Sequence, residues 1–335
     1  MKLKGSSYLS VDIVETPQDI NILCELASNL EIISHRQKST NILSGAVLAN
    51  LFFEPSTRTK VSFATAFNLL GGRVIEISDI SSSSIAKGES LADTSRILSG
   101  YVDVMVVRHF EEKGFKEISD SAEVPVINAG NGINEHPTQA LIDIYTIQSE
   151  FTNINNLSIC MAGDLKHGRT THSLAKLLSI YEKIKFFFVS PEDLCMPQSI
   201  VSLLKDRGHT VVEQQNLEAI ASEVEVLYLT RIQKERFLSE KEFKKYAGSY
   251  VVDNNFYNKC FLKKPLIMHP LPRNSLLISS ELSYDLNGHP RNKIFFQSDN
   301  GIPVRMALFC LILGVEEKVF ADMREVRWWY KKTGR

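Results

Sequence analysis

Apolar residues along the chain fall into short runs that alternate with segments repeating at the helical period. That arrangement predicts parallel strands covered by helices. Val47–Phe53 reads as a buried strand, followed by a helix from about Thr57 with Phe63, Phe67 and Leu70 on one face and Gly71-Gly72 as its stop. Val74–Ile77, Val102–Val107 and Val124–Asn128 read as further strands, and Thr138–Glu150 as a helix. A second series follows: Leu157–Ala162, Lys185–Val189, Thr210–Glu213, Val224–Leu229, Tyr250–Asp253 and Leu266–His269. The polar stretch Phe151–Asn156 separates the two series. The expectation is therefore an α/β chain of two domains, residues 1–150 and 151–299, each a parallel sheet flanked by helices. An apolar helix over Gly301–Leu313 is expected to fold back on the first domain. Beyond it, Val319, Phe320, Met323, Val326 and Tyr330 recur at helical spacing and predict a terminal helix packed on its own subunit.

Composition narrows the function classes. The 335 residues suit two domains, and a hydrophobic fraction of 44% supplies ample core. The 38 basic and 39 acidic side chains nearly cancel, so neither nucleic acid nor an anionic membrane is drawn to the chain as a whole. Any anion site must concentrate positive charge locally. No secretory leader or bilayer-spanning run is present, which predicts a cytoplasmic protein. Cys24, Cys160, Cys195, Cys260 and Cys310 are scattered and odd in number, reading as reduced packed thiols. Without CxxC or HExxH spacing, neither a metal nor another cofactor is expected.

Candidate chemistry concentrates in five strings. Phe53-Glu-Pro-Ser-Thr-Arg-Thr59 lies where a buried strand meets a helix, a junction whose exposed N–H groups and dipole attract anions. Ser56, Thr57 and Thr59 add hydroxyl donors there, and Arg58 adds a planar fork; taken singly, Ser56 is simply a helix cap. His136-Pro-Thr-Gln139 opens a helix. Gly163-Asp-Leu-Lys-His-Gly-Arg-Thr170 follows a strand and has P-loop spacing, but Arg169 stands where a P-loop requires lysine. Thr230–Arg236 places Arg231 and Gln233 after a strand with alternate spacing, and otherwise reads as a solvated charge run. His269-Pro-Leu-Pro-Arg273 is a proline-rich turn. Outside the strings, Arg108 follows the strand Val102–Val107, at the edge where open α/β sheets bind ligands. Ser81–Glu89 reads as a solvated loop.

In this order, the five strings closely resemble the signatures of the aspartate and ornithine carbamoyltransferase family, over most of the chain. The resemblance implies transfer of the carbamoyl group of carbamoyl phosphate to an amine, releasing phosphate. It assigns Ser56, Thr57, Arg58 and Thr59 to the phosphate, and Thr59, Arg108 and His136 to the carbonyl oxygen that gains charge. Gln139 and the carbonyl of Leu271 match contacts to the carbamoyl amino group, and the carbonyl of Pro272 a contact to the attacking amine. Arg169, Arg231 and Gln233 match aspartate-binding positions, as does Lys87. Lys87 and Ser84, with Ser83 the alternative serine, match a loop that the family donates to a neighbouring subunit's site.

The same resemblance implies a homotrimer, leaves open whether separate regulatory chains bind, and places the reaction in pyrimidine biosynthesis. It also implies that the amine's proton leaves with the phosphate, so no dedicated base is needed. Arg169 and Arg231 favour dianionic aspartate over ornithine with its cationic side chain, and Pro-Leu-Pro stands where ornithine enzymes place a cysteine. The alternatives are an ornithine carbamoyltransferase and, further off, a P-loop nucleotide-binding protein.

Overall fold

The computed structural model describes residues 3–78, 84–233, 237, 239, 243, 245–246, 248–273, 280–326 and 328. The chain forms two compact units, Met1–Thr138 with Asn300–Arg335, and Gln139–Asp299. In the first unit, α1 (Pro17–Ser34) starts at a Thr16–Asp19 capping box with proline in its first turn. Then come β1 (Lys38–Ser39), β2 (Val47–Phe52), α2 (Thr57–Leu69), β3 (Arg73–Ile77), α3 (Leu91–Ser99), β4 (Val104–His109), α4 (Glu112–Ser121) and β5 (Val126–Asn131). Helix α5 (Pro137–Glu150) begins in this unit, and the division falls inside it. The sheet runs β3-β2-β4-β5 with every pair parallel. All six residues of β4 and of β5 are buried, as expected for parallel strands covered on both faces.

The second unit holds β6 (Ser158–Ala162), α6 (Arg169–Leu178), β7 (Lys185–Val189), α7 (Gln198–Asp206), β8 (Thr210–Gln214), β9 (Val226–Leu229), α8 (Asn254–Cys260), β10 (Leu266–Met268) and α9 (Ile294–Asp299). Its sheet is again all parallel, in the order β10-β9-β6-β7-β8. Cys160, Ala162, Phe187, Val189, Leu227 and Leu229 form one side of its core with Tyr257 and Phe261. Two parallel sheets flanked by helices are the fold that the sequence predicted. Strand limits differ by up to three residues; β4 extends through Arg108 rather than stopping before it, and β5 ends at Asn131 rather than Asn128.

Two expected elements are corrected. Tyr250–Asp253 is not a strand: Val252 makes a single bridge to Leu282, and the Asp253 carboxylate turns to accept the Phe256 N–H (2.7 Å) as the cap of α8. The segment after α10 (Gly301–Leu313) is not a helix among its described residues. Gly314 ends α10 in the left-handed region (φ 66°), and Asp322 accepts from Thr40 Oγ1 and Asn41 N–H, each at 2.7 Å. That anchor delivers β11 (Arg324–Glu325) to an antiparallel pairing with β1, so tertiary contacts override a helical periodicity. Tyr330 lies outside the described residues.

Helix α10 is apolar apart from the buried Arg305 and is buried along nearly its whole length. Phe309 packs edge-on against Phe63 (5.9 Å between centroids) and Phe67 (4.9 Å) of α2. Phe309→Ala should cost about 3–5 kcal/mol of stability. Urea unfolding followed by circular dichroism measures this, and a loss below about 1 kcal/mol contradicts the packing role given to α10.

Candidate active site

In the first sheet the chain passes from β2 to β3 on one side and then to β4 on the other, so strand order reverses between β2 and β4. A crevice opens at the carboxyl ends of strands flanking such a reversal. Phe52 pairs with Arg108 there, and the Phe53 N–H donates to the Arg108 carbonyl at 2.9 Å. Arg108 therefore stands beside the residues that lead from β2 into α2. Its side chain is largely buried, and Nη2 donates to Glu54 Oε1 at 3.0 Å.

The start of α2 differs from those of α1 and α3. The latter have capping side chains, Thr16 and Ser90, and an acid in the first turn. Helix α2 has neither: Ser56 occupies the N-cap position without a capping hydrogen bond, and no acid follows. The positive end of its dipole therefore meets no acid of its own first turn, with Thr59 buried and Thr57 and Arg58 exposed. On the far side of β4, β5 ends in a tight return. Asn131 Oδ1 accepts the Glu135 N–H at 3.0 Å, and Asn131 N–H donates to the Glu135 carbonyl at 3.2 Å. This return places the buried His136 directly before Pro137, the first residue of α5.

The second sheet repeats the logic. Its order reverses between β6 and β9, and the Gly163 and Thr230 strings follow those two strands. Gly163 has φ +127°, and a Cβ there would lie 2.0 Å from the Thr230 carbonyl oxygen, so only glycine lets the two loops approach. Asp164 is fully buried and accepts the His167 N–H at 3.0 Å and a hydrogen bond from the His167 ring at 3.1 Å. The loop so folded starts α6 at Arg169, again without a capping side chain or an acid in the first turn. Gln233 reaches across to it, Nε2 donating to the His167 carbonyl at 3.0 Å. Arg169, Arg231 and Gln233 are each half-buried.

The His269 string carries more structure than its sequence shows. The buried His269 accepts the Leu271 N–H at Nδ1 (2.8 Å), so its proton sits on Nε2, which donates to Glu281 Oε1 at 2.8 Å. Leu271 is held in the left-handed region (φ 50°), and Pro272 is exposed. Beneath this turn lies a polar cluster that sequence reasoning missed. Asp143 is fully buried and accepts from Gln139 Nε2 (2.8 Å), Gln297 Nε2 (2.6 Å) and Tyr228 OH (2.8 Å). Burial pushes its carboxyl up to about 6 against the pull of these donors. The four-residue spacing of Gln139 and Asp143 on α5 was a legible signal, whereas Tyr228, Gln297, Glu54 and Glu281 came from remote segments.

Lys87 is exposed at the end of the short 3₁₀ turn Ser84–Lys87, and Ser83 lies outside the described residues. Among the described residues no cluster of His, Cys, Asp or Glu fit to hold a metal ion occurs, and no helix is long and apolar enough to cross a membrane.

Two family models match in tandem. "Aspartate/ornithine carbamoyltransferase, carbamoyl-P binding domain" covers residues 9–149, and "Aspartate/ornithine carbamoyltransferase, Asp/Orn binding domain" covers residues 155–312. The aspartate carbamoyltransferase catalytic subunit of Saccharophagus degradans is 48% identical over 337 residues, spanning 99% of this chain and 100% of that protein. The catalytic subunit of M. jannaschii aspartate transcarbamoylase superposes with a TM-score of 0.83 at 42% identity, covering 95% of this chain and 99% of that one. The Trypanosoma cruzi aspartate transcarbamoylase in complex with carbamoyl phosphate and aspartate gives 0.86 at 39% identity, with 93% and 98% covered.

The Asp143 carboxyl makes a prediction about pH. Its value in the folded chain, about 6, lies above the ordinary 3.8, so its ionisation opposes folding. The opposition is absent below the unfolded value, grows between the two, and is complete above about 6. The rise of about two pH units corresponds to about 3 kcal/mol at 1.36 kcal/mol per unit. Asp143→Asn keeps the hydrogen-bonding shape without the charge. Its stability relative to the native chain should therefore improve by about 2.4 kcal/mol between pH 4 and pH 7. Urea denaturation across that range measures the difference, and a pH-independent gap contradicts a buried ionised carboxylate.

Proposed function

The chain belongs to the aspartate/ornithine carbamoyltransferase family, and from that premise we propose that it joins carbamoyl phosphate to L-aspartate, giving N-carbamoyl-L-aspartate and phosphate, a step of pyrimidine biosynthesis. The observation that carries this reading is that three of the five family strings, those beginning at Phe53, Gly163 and Thr230, follow strands flanking a strand-order reversal, as Arg108 lies at the end of a fourth such strand. Residues 1–150, with the helix from about 300, take carbamoyl phosphate, and residues 151–299 take aspartate.

The substrates' charges account for the residues. Ser56, Thr57, Arg58 and Thr59 hold the dianionic phosphate at the uncapped start of α2. Thr59, Arg108 and His136 stabilise the carbonyl oxygen as the uncharged α-amine of aspartate attacks the carbonyl carbon. The C–N bond forms, the C–O bond to phosphate breaks, and the phosphate carries away the amine's proton. Gln139 and the Leu271 carbonyl hold the carbamoyl amino group, and the Pro272 carbonyl orients the attacking amine. Arg169, Arg231 and Gln233, with Lys87, bind the aspartate carboxylates. Arg108 rests on Glu54 in the present structure, so taking up substrate exchanges one anionic partner for another.

We further infer a homotrimer in which Ser84 and Lys87 complete a neighbouring chain's site. Lys87 is exposed, and Ile75 on the edge strand β3, with Ile97 and Tyr101, leaves apolar surface for a partner. A cytoplasmic setting accords with five cysteines that form no disulfide.

Steady-state assays with carbamoyl phosphate should show turnover with aspartate and none with ornithine; the reverse preference overturns the reading. Arg58→Ala should lower kcat roughly 100- to 1000-fold in a folded protein, the usual cost of removing a donor from developing charge. Arg231→Ala should instead raise the KM for aspartate while changing carbamoyl phosphate affinity less than about tenfold, or 1.4 kcal/mol. For the shared site, inactive Lys87→Ala and His136→Ala chains are dissociated and reassembled together. Partial recovery of activity is expected, because some sites then receive both intact residues from different chains. Verified mixed trimers that remain inactive would show Lys87 acting within its own chain.

A further inference from the structure

We propose that Asp143 is a positioning residue for recognition of the carbamoyl amino group: its carboxylate dictates which end of the Gln139 amide is presented, and through Gln297 it braces the turn that presents the Leu271 carbonyl. The inference rests on the substrate assignment above and adds the group that makes those two contacts specific.

A carboxylate has lone pairs and no proton to give. Gln139 and Gln297 both meet Asp143 Oδ1, at 2.8 and 2.6 Å, so each must turn its NH₂ end toward it. The opposite orientation sets an amide oxygen against a carboxylate oxygen in a fully buried place, where such repulsion is least screened. Gln139 is half-buried and shares the same face of α5, four residues before Asp143. With its nitrogen committed, its oxygen is the end left for a ligand, and an oxygen can only accept. Gln297 uses its own oxygen to receive the His269 N–H at 2.9 Å, and His269 Nδ1 receives the Leu271 N–H at 2.8 Å. The turn is thus held at its first and third residues. Tyr228 OH, donating to Oδ2 at 2.8 Å, keeps the carboxylate plane from rotating.

The outcome is a pair of acceptors, one side-chain and one backbone, each traced to a single buried carboxylate. An amino group on a planar carbonyl carbon offers two N–H donors and matches such a pair. A methyl group offers none and leaves both acceptors unpaired, a penalty that makes sites built on hydrogen bonds discriminating. Asp143 touches no substrate; it acts through Gln139 and the turn.

Phosphonoacetamide and phosphonoacetone differ only in NH₂ against CH₃, and calorimetry of both reads the preference directly. The native chain should bind the amide at least about tenfold more tightly, equivalent to 1.4 kcal/mol. Asp143→Leu, which keeps the shape without an acceptor, should bring the two affinities to within about twofold while inorganic phosphate binds as before. Asp143→Asn retains an oxygen where both glutamines donate and should restore most of the preference. If the leucine variant does not bind inorganic phosphate, Asp143→Ala takes its place under the same requirements. The proposal is overturned if the acceptorless variant keeps the preference, if it loses both ligands equally with phosphate binding intact, or if asparagine behaves like leucine. A native chain that shows no preference also overturns it. Turnover of carbamoyl phosphate with aspartate by the native chain tests the underlying assignment separately, so the two failures are told apart.

Discussion

Parallel strands cannot be joined by hairpins; each must be followed by a crossover that returns the chain to the starting edge, and here helices do so. All carboxyl ends of a sheet therefore share one edge, and where the crossovers change direction two neighbouring strands send their loops apart. Both sheets obey this constraint, reversing between β2 and β4 in one and between β6 and β9 in the other. Four of the polar segments follow from it. Ser56–Thr59, Arg108, Gly163–Thr170 and Arg231–Gln233 sit at those strand ends because that is where backbone can leave the sheet without stranding buried N–H and C=O groups.

A chain with balanced charge must gather cations without a general positive field, and it does so with helix starts and single arginines. Helices α2 and α6 begin without capping side chains or first-turn acids, and each carries an arginine in that turn. An omitted cap typically costs ~1 kcal/mol, and an anion bound at such a helix start would offset that cost. Arginine is the suitable residue, since its planar fork meets phosphate and carboxylate oxygens in pairs and it stays charged.

Within the second unit, buried or nearly buried carboxylates have orienting tasks. Asp164 ties down the His167 loop, Glu281 sets the His269 tautomer, and Asp143 gathers two glutamines and a tyrosine. Each would be costly if unpaired, and each of these carboxylates accepts hydrogen bonds within its own unit. Satisfied polar clusters of this kind rigidify what they touch, and a site that works by orientation depends on that stiffness.

The sequence by itself determined the sheet class, most strand positions, and the strings that mark the family. The reason is physical: strands and helices leave local periodicities, and strings such as Ser56–Thr59 or Gly163–Thr170 are contiguous because a strand end and its following loop are contiguous. It misread Tyr250–Asp253, where a short apolar stretch makes one bridge and Asp253 serves as a cap. It misread Val319–Val326 as helix, because pairing of Arg324–Glu325 with Lys38–Ser39 depends on residues nearly three hundred positions away. Only the tertiary structure decided which groups support the site. Nothing in the neighbourhood of Tyr228 or Gln297 signals that both donate to Asp143, nor does Glu54 announce its hold on Arg108. Such partners are set by where separate elements pack, and packing distance leaves no periodic trace along the chain.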